Sequence, residues 1–275
     1  MRTHVQGIDH VVILVHDLDR AQRAYQRMGF ALTPRGHHTL GSQNHCLMFG
    51  RDYVELLAVP RPHPATRHYS DFLAKGEGLA GLALGTNDAA GLHAGLAADG
   101  IAADAPLEFS RPVQGLGEAR FCIVQLPADA SPGCRMFACQ HFTRDLVWRP
   151  EYQRHANGAT EIAALAVVAE DPAAAAASYG KLLGARPQAI EEGLLVQTGS
   201  APLAFASRWK LGHRLHGVGL PVRPRPLVAA LFVRVADRAR AAGVLRRNGL
   251  EPVALADGSF AVSAQDAHGI AVIFG

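Results

Sequence analysis

Residues 7–19, GIDHVVILVHDLD, set branched apolar residues against an acidic turn. Side chains alternate across a strand, so Ile8, His10, Val12 and Leu14 share one face. In the next stretch, DRAQRAYQRMGF, Ala21, Ala24, Tyr25 and Met28 recur at helical spacing and Gly29 marks a stop. FALTP then restarts a strand. The same order of apolar strand, acid, Ala-rich helix, glycine and new strand returns at 79–106, 162–190 and 227–255. The acid-to-glycine spacing is 12 for Asp17–Gly29, 12 for Asp88–Gly100, 13 for Asp171–Gly184 and 12 for Asp237–Gly249. Asp at a helix start accepts backbone N–H groups, and Gly after the last turn takes a left-handed conformation freely. Four near-equal spacings make an internal repeat.

Short strands follow each unit: HCLMFG and YVELLAV, RFCIVQL and RMFACQHF, GLLVQTG and PLAFAS, SFAVSA and IAVIFG. Each unit therefore reads βαβββ. The fold class predicted is α+β, with four βαβββ units paired into two curved mixed-sheet half-barrels. The expected division is 1–146 for a first domain, 147–157 for a linker arm and 158–275 for a second domain. The arm lies in FTRDLVWRPEYQRHANGA, which breaks the repeat with Pro, Asn-Gly and charges. Residues 208–226 read as an irregular connection between units three and four.

Composition narrows the classes. The chain has 275 residues, 49% hydrophobic and 19% charged, which is globular rather than disordered. Val11–Val15 is too short for a signal segment or a span. Net charge is +3, so neither nucleic acid nor membrane is an expected partner. Cys46, Cys122, Cys134 and Cys139 form no CxxC pair and read as reduced thiols in a cytoplasm. Eleven of the 14 histidines lie at or before His155, so the two halves differ in chemistry.

A βαβββ unit that opens DHVVILVHDLD and closes on YVELLAV resembles the vicinal oxygen chelate superfamily, which includes glyoxalase I, extradiol dioxygenases and fosfomycin-resistance proteins. GHHTLGSQNHCLMFGRDYVELLAV and FACQHFTRDLVWRPEYQRHANGA are similar to its glyoxalase-like domain proteins. The resemblance implies paired units around a divalent metal, with ligands from the first and last strands of each unit and substrates that chelate through two adjacent oxygens.

On that resemblance His10 is the first-strand ligand and Glu55 the last-strand ligand of unit one. Alternation sets Glu55 beside Tyr53 and Leu57 among apolar neighbours, where an unpaired carboxylate is costly. Imidazole and carboxylate ligands suit Zn, Fe, Mn or Ni. In unit two, Gly81 stands where a first-strand ligand is expected. The last strand offers Gln140, favoured by the likeness, or His141, favoured by metal chemistry; alternation lets only one face inward. His38, Asn44 and His45, from a loop entering a strand, and Arg149, in the arm, are substrate-binding candidates; the bland readings are a solvated loop and an arm packed on the sheet. Units three and four carry Ala164 and Ala230 at the first-strand place, so the second half reads as the same architecture without the metal ligands.

The functional expectation is a glyoxalase-like, metal-dependent enzyme of lyase or isomerase type, acting on a small oxygenated metabolite. Glu55 would be the general base beside a carbonyl, and the metal a Lewis acid. The alternatives are a metal-free small-molecule binder of the same fold and an extradiol-type dioxygenase. The partners expected are a small-molecule substrate and a second copy of the chain.

Overall fold

The computed structural model describes residues 2–38, 41–61, 63–113 and 115–275. The first sheet is assembled from β1 (Ile8–Leu14), β2 (Gly36–His37), β3 (Gln43–Met48), β4 (Tyr53–Ala58), β5 (Gly78–Gly85), β6 (Leu107–Val113), β7 (Gly117–Gln125) and β8 (Arg135–His141). Its spatial order is β2-β3-β4-β1-β5-β8-β7-β6. The second is assembled from β9 (Ala159–Val168), β10 (Gln188–Ile190), β11 (Gly193–Val196), β12 (Leu203–Ala206), β13 (Leu227–Val235), β14 (Val253–Ala254), β15 (Phe260–Val262) and β16 (Ala271–Phe274). Its order, β10-β11-β12-β9-β13-β16-β15-β14, repeats that of the first. In each sheet the two opening strands pair antiparallel at the centre, and each runs parallel to the last strand of its own unit. These are the paired, mixed-sheet α+β half-barrels that the fourfold repeat predicts.

The repeat's punctuation does its predicted work. The helices α1 (Leu18–Arg27), α3 (Ala89–Ala98), α4 (Pro172–Leu183) and α6 (Arg238–Arg247) each start on the expected acid. The Asp17, Asp88, Asp171 and Asp237 carboxylates accept N–H bonds from the third residue onward at 2.8–3.0 Å. Beyond the helix ends, Gly29 and Gly184 hold φ of +87° and +59°, a region that a Cβ disfavours.

One continuous hydrophobic core contains the buried faces of all four helices and the helix-facing residues of both sheets. Tyr25 of α1 is fully buried there and donates to the Ala267 carbonyl across the two halves at 3.2 Å. His155 is a core histidine. It accepts from Ala31 N–H at Nδ1 (3.0 Å), so Nε2 carries the proton and donates to the Met48 carbonyl at 2.9 Å.

Each sheet leaves a second, inner face, and the two are filled differently. In the second half, residues 208–214 are not irregular: they form α5 (Arg208–Arg214), capped by the Ser207 hydroxyl. The spacing of Leu211 and Leu215 buries both against Ala166, Val168, Ala230 and Ala271, giving an apolar inner face. In the first half, α2 (Arg67–Leu73) brings Tyr69, Phe72 and Leu73 over Val12, Leu14 and Leu57. The arm after β8 lays Val147, Trp148 and Tyr152 over Tyr53, Phe121 and Cys139. Among the described residues, no helix is long and apolar enough to cross a membrane.

Candidate functional site

Polar groups gather on the inner face of the first sheet, between α2 and the arm. Strand β1 supplies two adjacent ones. His10 stacks on Tyr53, ring centroids 4.4 Å apart, and meets Phe137 edge-on at 5.4 Å. Simple alternation would send Asp9 to the opposite face. The β1–β5 register shifts between Ile8 and His10, however, and Asp9 sits beside both His10 and the end of β8.

The Asp9 carboxylate, 4% exposed, is the centre of this cluster. Its Oδ2 lies 2.7 Å from His10 Nδ1 and 3.0 Å from His141 Nε2. Burial works against its charge. The hydrogen bonds from the two imidazoles, with their charges, outweigh that cost and hold Asp9 below the usual carboxylate range. Arg144 adds a guanidinium 3.7 Å from Oδ1 and covers the Trp148 ring at 3.3 Å. Trp148 in turn packs on His141 and Tyr53, so the arm closes this end of the face.

Glu55 is the second acidic centre, on β4 opposite Val12. The Asn44 side-chain amide donates to its Oε1 at 2.5 Å. His38 Nε2 is 4.0 Å from the same oxygen, while Nδ1 engages the Ser42 hydroxyl at 2.7 Å. Burial pushes the His38 pKa down more strongly than the Glu55 charge pulls it up, which favours a neutral ring. Burial first, and then the charges of both Asp9 and Glu55, raise the Tyr53 phenol and the Cys139 thiol. The two carboxylates therefore flank the same pair of side chains.

Of the residues predicted from sequence, His10, Glu55, His38, Asn44 and His141 are brought to this face. Gln140 is turned the other way: its amide accepts from Ala89 N–H at 2.9 Å and donates to the Asn87 carbonyl at 2.8 Å, at the start of α3. Register explains this. Ala83 faces Phe137 in unit two as Val12 faces Glu55 in unit one, so Phe137 holds the Glu-equivalent place and Gln140 lies three residues beyond it. Gly81 stands where His10 stands in unit one; a Cβ there would meet Val12 at 3.1 Å. His45 points to the helix side, against the Thr33 carbonyl at 2.8 Å. Arg149 pairs with Glu151 at 2.5 Å.

Asp9, Cys139 and Arg111 were missed by the sequence reading. Arg111, on β6, places its charge near His38 and Cys46. The mark the sequence carries at Asp9 is a pair of consecutive polar residues inside an otherwise apolar strand, which is compatible with a bulge but does not fix its place. Ligand atoms of Asp9, Cys139 and His141 all lie within 4.8 Å of one another. A carboxylate, an imidazole and a thiol, with His10 adjacent, form a donor set that fits a borderline divalent metal.

Fold and site together define a paired βαβββ protein with buried acid–imidazole chemistry on one inner face. A family model described as "Glyoxalase-like domain" matches residues 8–183, and the chain belongs to that family. Its fold is the paired half-barrel of the vicinal oxygen chelate superfamily. A search of curated proteins finds no match. Among solved structures, a hypothetical protein from Staphylococcus aureus is 12% identical, with TM-score 0.70 and 98% of each chain covered. A Mn(II)-bound glyoxalase from Novosphingobium aromaticivorans is 12% identical, with TM-score 0.61, covering 98% of this chain and 82% of that one. A mutant 4-hydroxymandelate synthase from Streptomyces coelicolor is 13% identical, with TM-score 0.65, covering 100% and 92%. At these identities the likeness is one of fold.

Proposed function

We propose that the inner face of the first sheet is the reaction site of a glyoxalase-type enzyme that acts, with a divalent metal, on a small oxygenated metabolite. In this reading residues 1–146 carry the site, 147–157 form an arm that covers it, and 158–275 form a second domain without metal ligands. Asp9, His141 and Cys139 would hold the metal, with His10 beside them, and the metal would supply Lewis-acid stabilisation of a developing enolate. The observation that carries the reading is the convergence of Asp9, His10 and His141 within hydrogen-bond distance, on the same face as Glu55.

The chain's own groups supply the remainder. Glu55 accepts a proton from carbon beside a carbonyl; the Asn44 amide fixes its orientation and leaves the other carboxylate oxygen to face the substrate. His38, neutral and 4.0 Å away, can take that proton on or return it. Tyr53, Phe137 and Trp148 wall the site with aromatic surface and limit water, which strengthens every charge interaction inside it. The four cysteines, all free and buried, agree with a reducing cytoplasm.

A second reading has its own support. Asp9 Oδ2 is already satisfied by two imidazoles, as in a metal-free site that binds a ligand by hydrogen bonds. Metal analysis of protein purified without a His tag separates the two. About one Zn, Fe, Mn or Ni per chain, lost in Asp9→Ala and His141→Ala, supports the enzyme reading. No retained metal, together with no deuterium exchange into α-hydroxycarbonyl compounds in D2O after metal addition, sinks it.

A further inference from the structure

A cavity lies in the cleft between the two halves, and Tyr69 and Phe72 of its lining also pack against the inner face that carries Glu55. It has a volume of about 370 Å³ and runs between α2, the starts of β5 and β8, and residues 223–228 of the second half. Its floor is apolar, from Phe72, Leu79 and Ala80. Its polar lining carries one sign of charge. Lys75, Arg135, Arg223 and Arg225 line it, and no Asp or Glu does among the described residues.

These cations are held apart from acids to different degrees. Arg225 pairs with Glu170 at 3.0 Å, and that carboxylate is largely in solvent. Arg223 spends its terminal nitrogens on the Glu77 and Phe72 carbonyls, at 2.9 and 3.2 Å, with its guanidinium over the Phe72 ring at 3.7 Å. Carbonyls fix its position without neutralising it. Arg135 uses Nε on Gln125 at 3.0 Å; its terminal nitrogens have no partner among the described residues. An independent sign of a missing ligand is Ser131. It is 1% exposed and lines the cleft, and its hydroxyl has no hydrogen-bond partner among the described residues. A buried hydroxyl left unpaired is costly unless a ligand accepts its hydrogen bond.

We propose that this cleft is a binding site for a small molecule bearing an oxyanion, either a phosphate or a carboxylate. Arg135, Lys75 and Arg223 would supply the charge, and Ser131 Oγ–H a hydrogen bond. Arginine offers planar, paired donors that match both oxyanions, and a cleft lined with one sign of charge focuses the field on such a ligand. The cavity volume suits a metabolite rather than a macromolecule. Anion binding by these cations requires neither that Glu55 be a base nor that Asp9 hold a metal.

The test is calorimetric titration of the full chain at low ionic strength with inorganic phosphate and, separately, with malonate. At least one is expected to bind, with a melting temperature that rises with its concentration. The tighter of the two identifies the class of anion. Lys75→Gln/Arg135→Gln, confined to the first half and sparing the interdomain bonds of Arg223, is expected to weaken binding about tenfold or more. Ser131→Ala is expected to weaken it several-fold with circular dichroism unchanged. The proposal is overturned if both anions bind with dissociation constants of about 10 mM or weaker. It is equally overturned if the double variant, folded by circular dichroism, binds like the parent protein.

Discussion

Asp9 and His141, 132 positions apart in the chain, meet at 3.0 Å on the inner face of the first sheet. One belongs to the opening strand of unit one and the other to the last strand of unit two, so the contact exists only when the two units close into one sheet. A chemical centre and a fold contact are thus the same pair of side chains.

Asp9→Asn is therefore expected to cost both stability and site chemistry. It removes a buried charge that accepts from two imidazoles, a loss of about 3 kcal/mol for charge-assisted bonds of this kind. The folded-state pKa of Asp9 is lowered, so its contribution is present above the unfolded-state carboxylate value and fades as pH falls below it. Urea unfolding should find the variant weaker than the parent at pH 7 and closer to it near the acid limit of folding. An equal deficit at every pH would show that the aspartate is not charged in the fold.

Glu55→Gln tests the base. The amide keeps an oxygen to accept from Asn44, so the fold is expected to stand, while proton abstraction is expected to fall by about 10²–10⁴-fold. Proton-exchange rates in D2O measure it, with unfolding midpoints as the control. Asn44→Ala should give a smaller loss, since it releases the carboxylate without removing it.

Much of this architecture is legible in the sequence because its signals are local. The four Asp–Gly pairs cap helices, and alternation alone puts His10 and Glu55 on one face of adjacent strands. What was not legible depends on register. The shift after Ile8 brings Asp9 to His10, and the parallel pairing of β5 with β8 puts Phe137, not Gln140, at the place Glu55 holds. Counting residues along a strand cannot supply either fact, because a one-residue slip reverses every side chain. The helical state of 208–214 was hidden for another reason. Its short run has two apolar anchors, and it forms because the second sheet offers Ala-lined space for them.

That docked helix gives a prediction that separates the halves. Leu211 is 3% exposed and packs on Ala and Val of the second sheet. Leu211→Ala should lower stability by about 2–5 kcal/mol. Metal content and proton exchange in the fraction that stays folded should not change, because this cluster contains none of the residues of the Asp9–Glu55 site.

A further buried acid lies outside the proposed reaction site. Asp52, in the turn before β4, is fully buried and accepts from the Ile162 N–H of the second sheet at 3.0 Å, while its other oxygen has no partner among the described residues. Burial is the main reason its pKa rises from 3.8 to about 7, with the single backbone bond pulling the other way. The sign then runs opposite to that of Asp9. Between about pH 4 and 7 the folded protein binds a proton that the unfolded chain releases, so stability falls as pH rises across that window and levels off above it. Asp52→Asn keeps an oxygen for Ile162 and never ionises. Its unfolding free energy is expected to vary less with pH across that window, and at pH 8 to exceed that of the parent protein. Parallel curves for the two proteins from pH 5 to 8 would mean that Asp52 ionises in the fold as readily as in the unfolded chain.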